Sequence, residues 1–383
     1  MELTLTTVVP IELFTNKRRE QCVNELRQRG ITTLSKGGLF QRFMAELGGE
    51  GCEIYHIQDD EAGSLYMVAQ DGGVCLIATQ PTNAFSLTEE DVKGALSERG
   101  EWHAAVIEED GDGMLRRTLQ EIRSSLKEDN FGKPRINYVF SFYTLSGHDE
   151  GDVDDNLLKM LAEPSLLNID DMLSTDYELD VCGDVAVKQS FLNEIKDCDL
   201  AHSSKTFITW ATIVSFVDPA DAPRTRALLA ALECKLQMVW NRCYSVSELI
   251  DSVFQEKCSV RDVSELYWSF VRALDDARAV ISSTFSTRAN RFFMDMVRTS
   301  RIDGEIERMS QKVNLLEKYI NQRNDNKNRV YQKSIELLLF VTALASLAQV
   351  LFPLPIKGVS ETFGYTMLGA LALVGALAIF KSK

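Results

Sequence analysis

The sequence predicts an α/β domain followed by long helices and two C-terminal transmembrane helices. Three observations predict it. Residues 1–217 mix strand and helix patterns, residues 218–352 are almost wholly helical, and two apolar runs close the chain. The chain has 383 residues, and its 45% hydrophobic content excludes wholesale disorder.

In the first part, Leu3–Val9, Ser64–Val68, Gly73–Ala78, Ile136–Leu145 and Phe207–Phe216 are rich in β-branched and aromatic residues and read as strands. Helical patterns lie at Lys17–Arg29, Thr88–Arg99, Met114–Lys127 and Asp155–Ala162. Together they predict a mixed sheet. The sequence D-P-A-D-A-P-R at Asp218–Arg224 ends the last strand and opens a helix, with prolines suited to the entry turn. Leu228, Leu232, Leu236 and Val239, then Val263, Phe270, Leu274, Ala277, Ile281 and Phe285, recur at helical spacing and predict a hairpin of two long helices.

The next helix carries a heptad seam: Ile302, Ile306, Met309, Val313, Leu316 and Ile320 alternate in steps of four and three. No proline intervenes before Phe352, so one helix of about 50 residues is expected. Such a seam can pack within its own subunit or against identical neighbours; a long helix standing alone favours self-association. The organisation is therefore 1–217 α/β domain, 218–300 helical hairpin, 301–352 stalk helix and first span, 353–362 loop, and 363–383 second span with a basic tail.

Ser334–Phe352 has Glu336 as its one ionisable group, and Phe363–Phe380 has none. Both are long enough to cross a hydrocarbon core, which takes ~20 residues; the alternative is a buried helical hairpin in a soluble core. Arg323, Lys327, Arg329 and Lys333 precede the first run, and Lys381 and Lys383 follow the second. This asymmetry predicts a multi-pass inner-membrane protein with both termini cytoplasmic. The opening M-E-L-T-L-T-T-V-V-P has no basic stretch followed by an apolar run, so no signal peptide is expected. Thr342, Ser346 and Gln349 share one helix face and would line a pore, or Thr342 and Ser346 would bond their own backbone carbonyls. Arg323, Lys327 and Asn328 would stand at the cytosolic pore mouth.

The net charge of −15 argues against direct nucleic-acid binding. The eight cysteines form no C-x-x-C pair and read as core thiols of a reducing compartment. The four histidines are isolated, and no nucleotide-binding, zincin or serine-hydrolase motif occurs, so no enzyme is expected. Two acidic loops, with Glu108, Asp110 and Asp112 in one and Asp149, Asp152 and Asp154 in the other, are candidate sites for Mg²⁺ or another divalent cation, although runs of this kind are commonly solvated loops.

The element order, with Y-I-N-Q-R-N-D-N-K-N-R-V-Y-Q-K at Tyr319–Lys333 before the first apolar run, resembles the CorA family of membrane transporters. The resemblance implies a CorA-like funnel and a homo-oligomer, a pentamer, embedded in a lipid bilayer. The family's Gly-Met-Asn is absent: its place falls at about Phe352-Pro353-Leu354, so Mg²⁺ selectivity does not carry over. Divergent CorA-like proteins beside type III CRISPR systems act as membrane effectors in antiviral defence. That likeness implies a channel gated by a small cytosolic ligand, a nucleotide second messenger. The alternatives are a divalent-cation transporter with an altered entrance and a non-conducting membrane anchor.

Overall fold

A computed structural model describes residues 1–13, 16–28, 32–33, 53–60, 63–70, 73–107, 114–125, 135–137, 139–147, 153–162, 195–198, 200, 205–209, 212–255, 260–282, 287–351 and 369. It divides into two compact units. One comprises Met1–Lys257 and Leu266–Val313, the other Cys258–Glu265 and Asn314–Lys383.

The first unit is built on a mixed sheet. Its strands are β1 (Glu2–Glu12), β2 (Thr32–Thr33), β3 (Glu53–Asp60), β4 (Gly63–Gln70), β5 (Gly73–Thr79), β6 (Asn83–Ala84), β7 (Phe140–Ser146), β8 (Lys196–Asp197), β9 (Lys205–Ile208) and β10 (Thr212–Val217). The order across the sheet is β2-β3-β4-β5-β1-β7-β10-β9-β8, with β6 paired to β1. β7 and β10 run parallel and the other pairs antiparallel.

β1 is central and covered on both faces, which explains its nearly continuous β-branched and apolar sequence. Its side chains divide by the two-residue period. Leu3 and Leu5 join a core with Val92 and Ala95 of α2 (Glu89–Ile107) and with Leu158 and Leu161 of α4 (Asp155–Ala162). Val9 and Ile11 join a second core with Cys22 and Val23 of α1 (Asn16–Gln28) and with Leu119 and Ile122 of α3 (Met114–Ser125). Thr4, Thr6, Val8 and Glu12 point to the opposite face, against α5 (Ala222–Gln255).

One close approach demands glycine. Gly63 opens β4 with φ +128°, and a Cβ there would stand 1.9 Å from the Thr79 carbonyl oxygen.

α5 is the axis of this unit. Asp218 caps its entry, accepting at 2.9 Å from the Ala220 amide, and Pro223 lies in the first turn. α6 (Val260–Ser282), α7 (Thr287–Ser300) and α8 (Ile302–Leu351) follow. Lys312 of α8 donates to the Asp251 carboxylate at 2.6 Å and to the Ser247 carbonyl at 3.1 Å, both on α5.

α8 is continuous over 50 residues, as the proline-free heptad run predicts. Its seam is not free, however. Ile302, Ile306, Met309, Val313 and Leu316 are all buried within the single chain. Intramolecular packing therefore uses the part of the seam from which self-association was expected.

Three expectations are corrected. Phe207–Phe216 is two strands rather than one. The run breaks at Thr209, whose hydroxyl donates to the Ala162 carbonyl at 3.0 Å and accepts from the Thr212 amide at 3.1 Å. The helical hairpin contains an additional helix, α7, before the long one. Most consequentially, among the described residues no helix is long and apolar enough to cross a membrane. α8 is polar and charged from Asn321 to Lys333 apart from Val330 and Tyr331, and the side chains described beyond it run only to Ala343, with Ser346. Phe363–Phe380 lies outside the described residues, apart from Gly369. The two transmembrane helices, the multi-pass inner-membrane placement and the channel built on them are accordingly withdrawn.

Candidate functional site

Three features of the described residues combine polar chemistry or unpartnered surface with defined geometry. The first is a hydroxyl-lined cluster where the start of α5 crosses β1. Arg226 donates from Nη1 to Thr4 Oγ1 at 2.6 Å and to Thr82 Oγ1 at 3.5 Å. The two threonines also bond each other at 3.0 Å. Alternation along β1 places Thr6 on the same face, where it meets Thr79 at 3.3 Å. Thr144 of β7 is the register partner of Thr4, so the two share a face. Its hydroxyl is buried and has no hydrogen-bond partner.

Arg226 is half-buried, and this desolvation lowers its pKa, opposed by the Glu2 carboxylate. Among the described residues no carboxylate lies within ion-pair distance of it. A guanidinium has five N–H donors, and hydroxyl contacts occupy only those on Nη1. Nε and Nη2 remain available.

The second feature is a latch at the other end of β1. Arg242 Nε of α5 meets Glu12 Oε2 at 2.9 Å, with both side chains largely buried. Beside it, Asn241 accepts from the Asn137 amide at 2.9 Å and donates to the Arg135 carbonyl at 3.0 Å. Asn137 also donates to Ser245 at 2.8 Å, and Arg135 pairs with Glu248. The network is satisfied internally, and its role is to hold α5 on the sheet.

Between these ends α5 carries Glu233, wholly buried, accepting from Gln237 Nε2 at 3.0 Å. Burial pushes its carboxyl up to about 8. Lys235 lies 5.9 Å over the Phe293 ring, and burial lowers its ammonium to about 8.

The third feature is the exposed length of α8. Val330, Tyr331, Ile335, Leu338, Leu339, Phe340 and Val341 are exposed, Leu338 to 68%. Leu338–Val341 are consecutive, so the apolar surface wraps the helix rather than forming one stripe.

The residues expected from sequence fall elsewhere. Thr342 donates to the Leu338 carbonyl at 2.7 Å and Ser346 to the Thr342 carbonyl at 2.9 Å. These hydroxyls satisfy themselves on their own helix. The side chain of Gln349 lies outside the described residues. Arg323 stacks 5.1 Å over the Tyr319 ring, while Lys327 and Asn328 are exposed on α8. With no span among the described residues, a pore lining and pore mouth have no basis.

Glu108, Asp110, Asp112, Asp149 and Asp152 lie outside the described residues. Asp154 caps α4, accepting from the Asn156 amide at 2.8 Å. Among the described residues no three His, Cys, Asp or Glu side chains gather as a metal site. Cys22, Cys75, Cys198, Cys234 and Cys243 are buried, with the Cys22 and Cys243 thiols pushed up to about 12 by burial. His56 packs against Tyr66 at 5.2 Å.

Sequence reasoning missed Arg226, Thr4, Thr82 and Thr144. A signal was present in β1: L-T-L-T alternates apolar and hydroxyl residues ahead of the apolar run V-V-P-I.

No family model, curated protein or solved structure matches the chain.

Proposed function

We propose that this protein is a homo-oligomeric effector. Its α/β unit receives a small ligand, and its last long helix, α8, joins identical copies. One observation carries the assembly half: Val330, Tyr331, Ile335, Leu338, Leu339, Phe340 and Val341 of α8 are exposed, with none of the described residues covering them. Burying apolar surface is worth roughly 25 cal/mol per Å², and patches of this kind mark association sites. A single flat partner would cover only one side of such a helix. Several copies of α8 around an axis would cover its inward and lateral faces. The buried start of the seam favours this division of labour, because it fixes α8 to its own body before the exposed length begins.

The ligand half is supported by the Arg226 cluster, which offers free donors and an unpartnered hydroxyl at the edge of a packed helix. Channel, transporter and anchor readings all require a span and are not carried forward.

The test is the mass of the full chain by light scattering during gel filtration. A discrete multiple of 43.1 kDa is expected, falling to a single chain in the double variant Ile335→Asp and Leu339→Asp. A single-chain mass for the unaltered protein at micromolar concentration would refute the assembly.

A further inference from the structure

We infer that the Arg226 cluster binds a phosphate-bearing anion, a reading that rests on the α/β unit being the receiving part of the protein. The argument begins with unmet hydrogen bonds. A guanidinium fits an oxyanion through paired donors, and that fork is largely unused here. Nη1 of Arg226 is held by Thr4 and Thr82, which fixes the plane of the group. The Glu2 carboxylate acts on Arg226 at a distance, and among the described residues none forms an ion pair with the remaining donors.

The second observation is independent of Arg226. Thr144 is 2% exposed and its hydroxyl has no partner, although buried hydroxyls are nearly always bonded. It stands opposite Thr4 in the β1–β7 register, on the face that α5 covers. An anion seated on Arg226 would accept from this hydroxyl as well.

The third observation is access. Thr82 and Glu2, at the rim of the cluster, are exposed, while Thr144 is buried. A tetrahedral oxyanion has enough acceptors for two guanidinium donors and the threonine hydroxyls. A carboxylate would leave one side of this arrangement unmet.

The test follows thermal unfolding of the full chain with two probes, inorganic phosphate and phenyl phosphate, each against chloride at equal ionic strength. Ligand that binds only the folded state raises Tm by mass action, by about 2 °C at ten times the dissociation constant. The rise should vanish in Thr144→Val and in Arg226→Gln. Thr144→Val keeps the side-chain shape and removes an unsatisfied hydroxyl, so it should fold at least as stably without the probe. A larger rise with phenyl phosphate than with inorganic phosphate identifies a phosphate ester as the ligand; the reverse identifies the free ion. No rise with either probe in the unaltered protein would overturn the inference, as would a rise that survives in Thr144→Val. Light scattering on the same samples keeps the two ideas apart. A Tm shift without any change of mass sustains the site and removes only its coupling to assembly.

Discussion

Replacing Glu233 with glutamine should stabilise the protein, and by more as the pH rises. Glu233 is wholly buried on α5, and its one hydrogen bond, from Gln237, is to a neutral amide. Burial raises its carboxyl from 4.5 to about 8, while Gln237 opposes the shift. The folded pKa therefore lies above the unfolded one. The stability tied to the bound proton is fully present below about pH 4.5 and is lost as pH rises towards 8. Each unit of difference is worth about 1.4 kcal/mol, so by pH 7 the loss is roughly 3 kcal/mol. Glutamine resembles the protonated acid, keeps an oxygen for Gln237 and cannot ionise. The variant should match the unaltered protein near pH 4.5 and exceed it by several degrees in Tm at pH 7. Working between pH 5 and 7 keeps Lys235, lowered to about 8, mostly charged in both proteins. Urea or thermal unfolding at four or five pH values decides the matter. A gain independent of pH, or a loss of stability throughout, would refute the claim that an ionisable acid is held neutral inside α5.

Two further expectations concern the same scaffold. Arg242→Ala leaves Glu12 charged and buried on β1, and should cost about 3–5 kcal/mol in urea unfolding. The double change Glu12→Leu with Arg242→Met should recover most of that loss, because no charge is then stranded. Gly63→Ala forces a Cβ against the Thr79 backbone at a φ of +128°, so it should lower expression of folded protein and destabilise the β4–β5 edge, read as lost amide protection there.

Much of the α/β unit was legible because its elements carry strong local periods. β1 and β5 are rich in β-branched residues, β4 is an apolar run opened by glycine, and α4 begins and ends where its pattern does. β3 was not legible: E-I-Y-H-I-Q-D-D holds few apolar residues, and a bulge at His56–Gln58 breaks its alternation. The pair β9–β10 hid inside one apolar run because its turn is made by the Thr209 side chain rather than by glycine or proline.

Helical content after Asp218 was clear, but which faces pack together was not. The seam of α8 is equally consistent with an intramolecular and an intermolecular partner, and the fold places its first five positions inside the chain. Apolarity alone marked the C-terminal runs, yet among the described residues no helix meets the requirement for a span. The Arg226 cluster was hidden for a different reason. Its members come from β1, β7, α5 and the segment after β5, far apart in sequence, and only the sheet register brings them together.

Contact between copies along α8 is best tested by a photo-crosslinking residue placed at Leu338, with a second placed at the exposed Glu307 as control. Irradiation of the purified full chain should give a ladder of covalent multimers from position 338 and little from position 307. A single unlinked band from position 338, at concentrations where the protein is well folded, would contradict assembly through this helix.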